Sequence, residues 1–295
     1  MHEFAQLMVQ GLATGSVYAL IALAFSIVFQ TSNVLNFAQG GMLLLGTYLT
    51  SYGAASMGVP FPIALFGSCV IVALVGVGFH AVVMRRIAGQ HDFIPIMVSL
   101  GFGIFIIAVI ELVFGPDQRL LGDPWGSASF TPMGVTILEV KAWSIALAVV
   151  AVLGIFLISK RSIYGLAIRA LSADEEAAAS VGVPVHRVHA VAWALAGVLG
   201  SLAGALLAGY PNSPNLSLAD AAFRAFPAVI LGGLATAQGA VVGGVLIGIL
   251  EALTAGYSPD WAGTNAHAVV PYIVMMLILL VRPDGLIGKG KVVRA

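Results

Sequence analysis

Long apolar segments alternate with short polar ones along this chain. A helix needs about 20 mostly apolar residues to cross the hydrocarbon core of a bilayer. Eight segments approach or reach that length, and we predict that each spans a membrane: residues 7–29, 35–55, 61–84, 93–114, 142–159, 188–209, 240–254 and 268–281. A ninth apolar segment, residues 223–235, is short. The pattern predicts an all-α polytopic membrane protein, one domain over residues 1–295, with eight or nine transmembrane helices and a short or broken helix near 223–235.

The composition excludes a protein that folds in water around a single core. Hydrophobic residues make up 60% of the 295 positions and charged residues 9%, against roughly 45–50% and about 25% in soluble domains. The formal net charge is zero, so bulk electrostatics predict no nucleic-acid partner. Cys69 is the single cysteine, and neither a disulfide framework nor a cysteine-based metal site is therefore expected.

The distribution of lysine and arginine predicts the orientation, because cytoplasmic loops of membrane proteins are enriched in both residues. If the N-terminus is outside and residues 223–235 cross, ten of the 13 basic residues lie inside. The three outside are Arg119, Lys141 and Arg224. If residues 223–235 do not cross, the basic residues Lys289, Lys291 and Arg294 fall outside. The charge count therefore favours nine crossings, an N-terminus outside and a cytoplasmic C-terminus.

The densest run of charge lies in residues 160–187, between two long apolar segments. A charged loop cannot lie in hydrocarbon, where unpaired polar groups are costly. The orientation given above places this loop in the cytoplasm, where a soluble partner can contact it. Within the loop, Glu176-Ala177-Ala178 precedes Gly182. This spacing resembles the coupling loop of ABC importer permeases, and the resemblance implies a short helix near 173–182. Pro184 is expected to end that helix, since proline cannot continue it.

Polar residues also occur at predicted membrane depth. Asn33, Asn36 and Gln39 connect the first two spans; the asparagines either cap the second helix, line a path or bond neighbouring helices. Glu111 and Glu251 lie inside or near the ends of spans, and acids at membrane depth are candidates for a transport role. Both are also close enough to a span end to reach the interface. The candidate substrate pathway consists of Asn36, Gln39, Gly232, Gly233 and Glu251.

Glycines are concentrated in residues 197–248. Three motifs, Gly200-x-x-x-Gly204, Gly239-x-x-x-Gly243 and Gly244-x-x-x-Gly248, have the spacing that lets two membrane helices approach closely. We interpret them mainly as packing surfaces. The double glycine Gly232-Gly233 follows a short apolar segment, and glycine-interrupted segments often form broken helices beside a substrate path.

No motif of a soluble enzyme is complete. Residues 285–291 match the first part of a phosphate-binding loop, but Val292 follows where Ser or Thr is required. We therefore expect a protein that is not an enzyme, with no catalytic residue, no metal site and no cofactor of its own. If transport is driven by ATP, the nucleotide is bound by a partner subunit.

Four segments together resemble the LivH-type permease of branched-chain amino acid ABC importers, a family of binding-protein-dependent inner-membrane permeases. They are residues 15–40, with Asn36-Phe-Ala-Gln-Gly; the loop 165–187, with Gly182-Val-Pro; residues 224–251, beginning Arg224-Ala-Phe-Pro; and the terminal Arg282-Pro-Asp-Gly-Leu-Ile-Gly. They occur in the family's order and span nearly the whole chain. The family often has histidine at the position of Gln39 and lysine at that of Arg224, and both differences keep the polarity.

The resemblance implies a mechanism, partners and a location in the cell inner membrane. An extracytoplasmic binding protein delivers a branched-chain or related small amino acid. This chain and a second, related permease subunit form the path, and two cytoplasmic ATPase subunits move the coupling loops. Residues 173–182 then form the coupling helix, although its acids alone could equally stabilise the helix N-terminus. The residues implied to couple to the ATPase are Asp174, Glu175, Glu176, Ala177, Ala178 and Gly182.

Three alternatives remain open at the level of the sequence. An ABC permease for urea or short amides differs only in its cargo. An ion-coupled secondary transporter requires an ion or proton site in the spans, and neither Glu111 nor Glu251 has an obvious charged partner there. A passive channel predicts conductance by the lone chain.

Overall fold

The structure, a computed structural model, describes residues 2–87, 89–91, 93–132, 136–209, 211–258, 266–283 and 285–287. The terminal basic residues of the orientation argument, and Asp284 and Gly288 of the terminal motif, lie outside these ranges. The α-helices are α1 (His2–Ser32), α2 (Gln39–Ser51), α3 (Phe61–Phe79), α4 (Arg85–Ile87), α5 (Phe93–Phe114), α6 (Glu139–Arg161), α7 (Ile163–Ala173), α8 (Glu175–Ser180), α9 (Val185–Leu207), α10 (Ala221–Arg224), α11 (Phe226–Gly232), α12 (Ala237–Tyr257) and α13 (Ala266–Val281).

The chain is an all-helical polytopic membrane protein. Within the described ranges, six helical segments are long and apolar enough to cross a membrane. They are α1, α5, α6, α9, α12 and the continuous segment from α3 to α4, which includes the π-helical turn His80–Met84. The apolar helices α2 and α13 are shorter, and a second π-helical turn, Tyr52–Ser56, extends α2. Between α5 and α6, β1 (Ser129–Phe130) and β2 (Ile137–Leu138) form a two-stranded antiparallel ribbon.

Helix α1 lies at the centre of the bundle. Its sequence is apolar on all sides, as expected for a helix surrounded by others, and every residue from 15 to 28 is buried. Its most extensive helix contact is with α12. A side chain at Gly15 would lie 2.8 Å from the Val245 carbonyl oxygen, and one at Gly248 would overlap the Gly15 backbone. The prediction that Gly244-x-x-x-Gly248 forms a packing surface is confirmed.

Helix α9 holds α2 and α3 together. Gly200 faces Gln39, while Gly204 faces Leu43 and Thr47, which confirms that the Gly200-x-x-x-Gly204 motif packs two helices. Three buried hydroxyl groups connect the same helices. The Ser68 hydroxyl lies 2.8 Å from that of Thr50 and 2.9 Å from that of Ser201. Each of these hydroxyls has a partner, as buried polar groups in an apolar surrounding require.

The segment predicted to be short or broken is interrupted. A 3₁₀-helix, Leu216–Asp220, leads into α10, and Ala225 separates α10 from α11. Helix α11 ends at Gly233, whose φ of +100° favours glycine. Close packing on α12 follows, because Gly232 faces Gly239 and Gly243 faces the Ala228 carbonyl. The Gly239-x-x-x-Gly243 motif therefore packs α12 against α11.

The charged loop 160–187 forms two helices rather than one. Ser162 caps α7, its hydroxyl accepting a 3.0 Å hydrogen bond from the Gly165 N–H. Helix α8 follows after Asp174 and covers the centre of the predicted range 173–182. The expectation that Pro184 ends this helix is wrong. Gly182 adopts φ +90° just beyond the end of α8, and Pro184 is the N-cap residue of α9.

Candidate coupling site and substrate path

Helix α8 is closed at both ends by residues predicted to couple to an ATPase. The Asp174 carboxylate caps its N-terminus, with Oδ1 accepting a 2.9 Å hydrogen bond from the Ala177 N–H. At the other end, Gly182 N–H bonds the Ala179 carbonyl and Val183 N–H bonds the Ala178 carbonyl. This pattern is a Schellman motif, which needs a left-handed residue at the position of Gly182. Asp174 and Gly182 therefore define the shape of α8.

One face of α8 is fixed to the bundle and the rest is free. Ala178 packs with Ala167 and Leu171 of α7 and with Val188 of α9. The other predicted coupling residues are exposed: Asp174, Glu175, Glu176, Ala177 and Gly182. The geometry thus presents a short acidic helix to water while Ala178 anchors it. Contact of these residues with an ATPase stays a prediction.

A polar chain connects α8 with the ends of two long helices. The Glu175 Oε1 atom lies 4.0 Å from Nε2 of His189, on the first turns of α9. The same Nε2 lies 2.8 Å from the carbonyl oxygen of Thr31, in the last turn of α1. Glu175 and His189 therefore connect α8 with α9 and α1, in addition to the packing of Ala178. The acids of the loop were predicted from the sequence to be coupling residues. His189 was not, because nothing in the sequence around it indicates that it lies beside Glu175 and Thr31.

Two of the predicted pathway residues are enclosed within the subunit. Asn36 and Gln39 both have 0% exposure. The Asn36 Nδ2 donates to Gln39 Oε1 at 3.2 Å, and Gln39 Nε2 donates to the Ala196 carbonyl of α9 at 3.1 Å. Asn36 Oδ1 also accepts from the Ala38 N–H at 3.1 Å. Gln39 therefore bonds a neighbouring helix, which was one of the alternatives open from the sequence, while the bonds of Asn36 are with residues 38–42.

The double glycine supports the turn between α11 and α12. Gly232 and Gly233 are both buried. The terminal segment packs beneath them, since Leu286 N–H donates to the Leu231 carbonyl at 2.8 Å and Ile287 N–H to that of Gly232 at 3.3 Å. A side chain at Gly285 would meet the Gly233 nitrogen at 2.8 Å. Two segments that carry the family resemblance thus contact each other.

Glu251 and Arg224 act on the same two tyrosines. The buried Tyr18 of α1 interacts with the Glu251 carboxylate and the Arg224 guanidinium through side-chain hydrogen bonds and charge. Tyr272 of α13 interacts electrostatically with the same two groups, and its hydroxyl donates to the Phe223 carbonyl at 3.0 Å. We call Tyr18, Arg224, Glu251 and Tyr272 the charged cluster. Arg224 and Glu251 are 27 positions apart in the sequence, so their shared neighbours Tyr18 and Tyr272 could not be predicted from it.

Comparison with known proteins decides the family. The family model described as "Branched-chain amino acid transport system / permease component" matches residues 7–279. The chain belongs to this family. It is therefore a permease component of an ABC transport system, a class whose members lack an ATPase domain and depend on separate subunits for ATP. The resemblance found in the sequence is confirmed.

Individual relatives match the permease over its full length. The high-affinity branched-chain amino acid transport system permease protein LivH of Salmonella typhimurium is 28% identical, covering 98% of this chain and 97% of the relative. The high-affinity branched-chain amino acid transport system permease protein BraD of Pseudomonas aeruginosa is 27% identical, covering 99% of this chain and 98% of the relative. The permease protein LivM of Escherichia coli is 24% identical over 92% of this chain and 68% of its own length.

The buried amide pair yields a stability prediction for the permease. Gln39→Leu is expected to lower the free energy of unfolding by about 1–3 kcal/mol, because the enclosed Asn36 amide loses its acceptor. The midpoint of thermal unfolding in detergent measures this effect. Gln30→Leu is the matched control, since Gln30 is only half-buried and bonds the Ser26 hydroxyl of its own helix. Equal shifts for the two variants would contradict a special role of the buried pair.

Proposed function

We propose that the permease moves branched-chain or related small amino acids into the cell. Two cytoplasmic ATPase subunits hydrolyse ATP and contact α8. The observation that carries this proposal is the polar chain Glu175–His189–Thr31. It joins an exposed acidic helix to the ends of α9 and α1, which is the connection that a coupling element requires. The cargo is taken from the names of full-length relatives.

The proposed topology has nine crossings, an outer N-terminus and a cytoplasmic C-terminus. We call the end of the bundle at which α7 and α8 lie the coupling end. The segment from Leu216 to Gly232 leaves the opposite end, where the Arg119 N–H bonds the Pro214 carbonyl. After Gly232 the chain reaches the coupling end, because Ala237 lines the same cavity as Ser159 of α6 and Tyr164 of α7. The interrupted segment thus supplies the ninth crossing.

The basic residues support this orientation. Arg85, which lines a cavity with Glu175, lies at the coupling end. Arg169, whose guanidinium donates to the Ser159 carbonyl, lies there as well. Arg119 and Lys141 belong to the opposite end. A cytoplasmic coupling end therefore agrees with the enrichment of basic residues in cytoplasmic loops.

The proposed assembly contains a second permease subunit, two ATPase subunits and an extracytoplasmic binding protein. The likeness to LivM, a permease named from the same transport system as LivH, supports a related rather than identical second permease. The charged cluster is the part of the chain best suited to face that subunit. Arg224 is exposed and Glu251 half-exposed, and charged groups at membrane depth do not face lipid. They therefore border the proposed path between two permeases.

The charged cluster makes the pathway proposal testable. Glu251→Gln is expected to lower uptake at least about ten-fold, because it removes the negative charge that acts on Tyr18 and Tyr272 at membrane depth. Uptake is measured in vesicles and divided by the amount of inserted permease. Glu111→Gln is the control, since Glu111 is exposed on α5. A Glu251→Gln variant that keeps its uptake, or loses uptake only in proportion to lost protein, rules the cluster out of the path.

The function itself is tested with the reconstituted complex. We expect leucine uptake into proteoliposomes to require the ATPase subunits, the binding protein and ATP at the same time. Uptake that continues without ATP and collapses with the ion gradient would favour a secondary transporter. Conductance by the permease alone would favour a channel. Competition with urea and short amides separates the alternative cargoes.

A further inference from the structure

A cavity of about 240 Å³ lies at the coupling end, between α8 and the ends of the long helices. Since a water molecule takes about 30 Å³ in the liquid, this is the volume of a small organic molecule. Eight of its lining residues can form charged or polar contacts: Ser32, Asn33, His80, Arg85, Gln90, Glu175, His186 and His189. The apolar part of the wall is formed by Val34, Met84, Pro95 and Trp193.

His80 is the most unusual member of this wall. Its side chain is buried, with 4% exposure, and its ring lies 5.7 Å from that of His189, nearly perpendicular to it. In the part of the chain that the structure describes, its nitrogens are not among the buried side-chain atoms without a partner. Since His80 lines the cavity, a molecule that enters the cavity can meet a ring nitrogen.

The wall of the cavity carries charges of both signs, from Arg85 and Glu175. The Arg85 guanidinium and the His80 ring come from the end of the α3–α4 segment, while Glu175 comes from α8. The guanidinium group of arginine can donate two parallel hydrogen bonds to a carboxylate, and an imidazole N–H can donate a further one. Glu175 supplies an acceptor for a cation. Among the described lining residues it is the one carboxylate.

We propose that this cavity binds a free α-amino acid from the cytoplasm. The amino-acid carboxylate lies towards Arg85 and His80, the ammonium group towards Glu175, and an apolar side chain against Trp193 and Met84. This inference rests on the proposed function, since the orientation opens the cavity to the cytoplasm and the cargo is itself such a molecule. The site lies apart from the charged cluster on α10 and α12.

Binding at this place has a regulatory consequence. Glu175 is the residue through which α8 reaches His189 and Thr31. A ligand that holds Glu175, Arg85 and His80 together ties the coupling helix to the ends of α1, α3 and α9. A coupling helix fixed in this way moves less when the ATPase subunits act. Accumulated amino acid inside the cell thus slows its own import.

The binding test uses the purified permease complex in nanodiscs of phosphatidylcholine, with L-leucine as the probe. Isothermal titration is expected to show leucine binding that Arg85→Gln weakens by roughly ten-fold or more. Arg86→Gln is the matched control, because Arg86 is the neighbouring arginine and does not line the cavity. Glu175→Gln and Glu176→Gln form a second such pair, and only the first is expected to weaken binding.

Two analogues test the predicted contacts. The analogue 4-methylpentanoate lacks the ammonium group, and 3-methylbutylamine lacks the carboxylate. Each is expected to bind at least about ten-fold more weakly than leucine. If 4-methylpentanoate binds as well as leucine, or if Arg85→Gln binds leucine as wild type does, the proposal is overturned. It is also overturned if the cavity retains phosphatidylglycerol through Arg85 and leucine does not bind in its absence, because the site then belongs to a lipid headgroup.

A transport readout separates this inference from the proposed function. Proteoliposomes are loaded with increasing internal leucine, and ATP-driven uptake of labelled leucine is compared with that of empty vesicles. Internal leucine is expected to reduce uptake several-fold in wild type and in Arg86→Gln, and much less in Arg85→Gln. Equal reduction in all three proteins contradicts the cavity proposal alone. Absence of ATP-driven uptake by wild type contradicts the proposed function instead, and the titration is unaffected by that result.

Discussion

Gly182→Val is expected to lower ATP-driven uptake at least about ten-fold while the permease still inserts into the membrane. Valine at φ +90° is strained by about 1–3 kcal/mol, because its β-branched side chain is poorly tolerated there. The six-residue helix α8 is too short to form without its caps. Loss of the Schellman motif therefore frees the acids that the proposed ATPase contact uses.

Gly115→Val is the matched control for this prediction. Gly115 has φ +81°, lies just beyond the end of α5, and bonds the Glu111 carbonyl, so the backbone situation is the same. A side chain meets no atom within 4 Å at either glycine. The difference between them is their place, at opposite ends of the bundle. Deletion of residues 173–181 extends the test, and normal ATPase assembly with normal uptake in that deletion would refute the coupling role of α8.

Gly248→Leu is expected to reduce the yield of folded permease severely, with a loss of unfolding free energy above the roughly 1–3 kcal/mol typical of overpacking. Its Cβ would overlap the Gly15 backbone of α1. A backbone atom cannot move aside as the end of a side chain can, so α12 would have to separate from the central helix. Size-exclusion chromatography and thermal unfolding in detergent measure the folded fraction.

Gly154→Leu provides the comparison. Gly154 lies in the middle of α6, and a side chain there meets no atom within 4 Å. Leucine is also a better helix former than glycine, so this variant is expected to fold as well as wild type. A similar loss for both variants would mean that helix composition, rather than the contact between α1 and α12, limits folding. Retention of wild-type stability by Gly248→Leu would contradict the packing itself.

Much of the fold could be predicted because hydropathy is a local property. The apolar segment at 93–114 was predicted with the bounds of α5, and the segments at 188–209 and 240–254 lie within or overlap α9 and α12. Glycine spacing predicted which helix faces pack closely. The break near 223–235 followed from a segment too short to cross alone. The ends of helices were predicted less well where capping residues decide them: α8 was expected to end at Pro184, but Gly182 closes it.

The candidate sites were predicted only in part. The acids of α8 and the residue Glu251 were identified as unusual charges in an apolar chain. Their neighbours were not identified, since His189 lies 14 positions from Glu175 and Tyr18 lies on a different helix from Glu251. Asn36 and Gln39 were candidates for a path, and the structure shows Gln39 bonded to α9 and Asn36 bonded to nearby residues of its own segment. An amide at membrane depth needs a hydrogen-bond partner whether it lines a path or joins two helices, so the sequence alone cannot separate these two roles.

By itself, the sequence determined that the chain is helical, crosses a membrane several times, exposes one charged loop and resembles a permease family. These properties follow from apolar length, charge and motif order, which are read along the chain. The tertiary structure decided which polar groups meet: Glu175 with His189, Gln39 with Ala196, Tyr18 with Arg224 and Glu251. Such contacts depend on the rotation and depth of each helix against its neighbours. Packing at glycine contacts such as Gly15 against Gly248 sets both, and no local pattern encodes them.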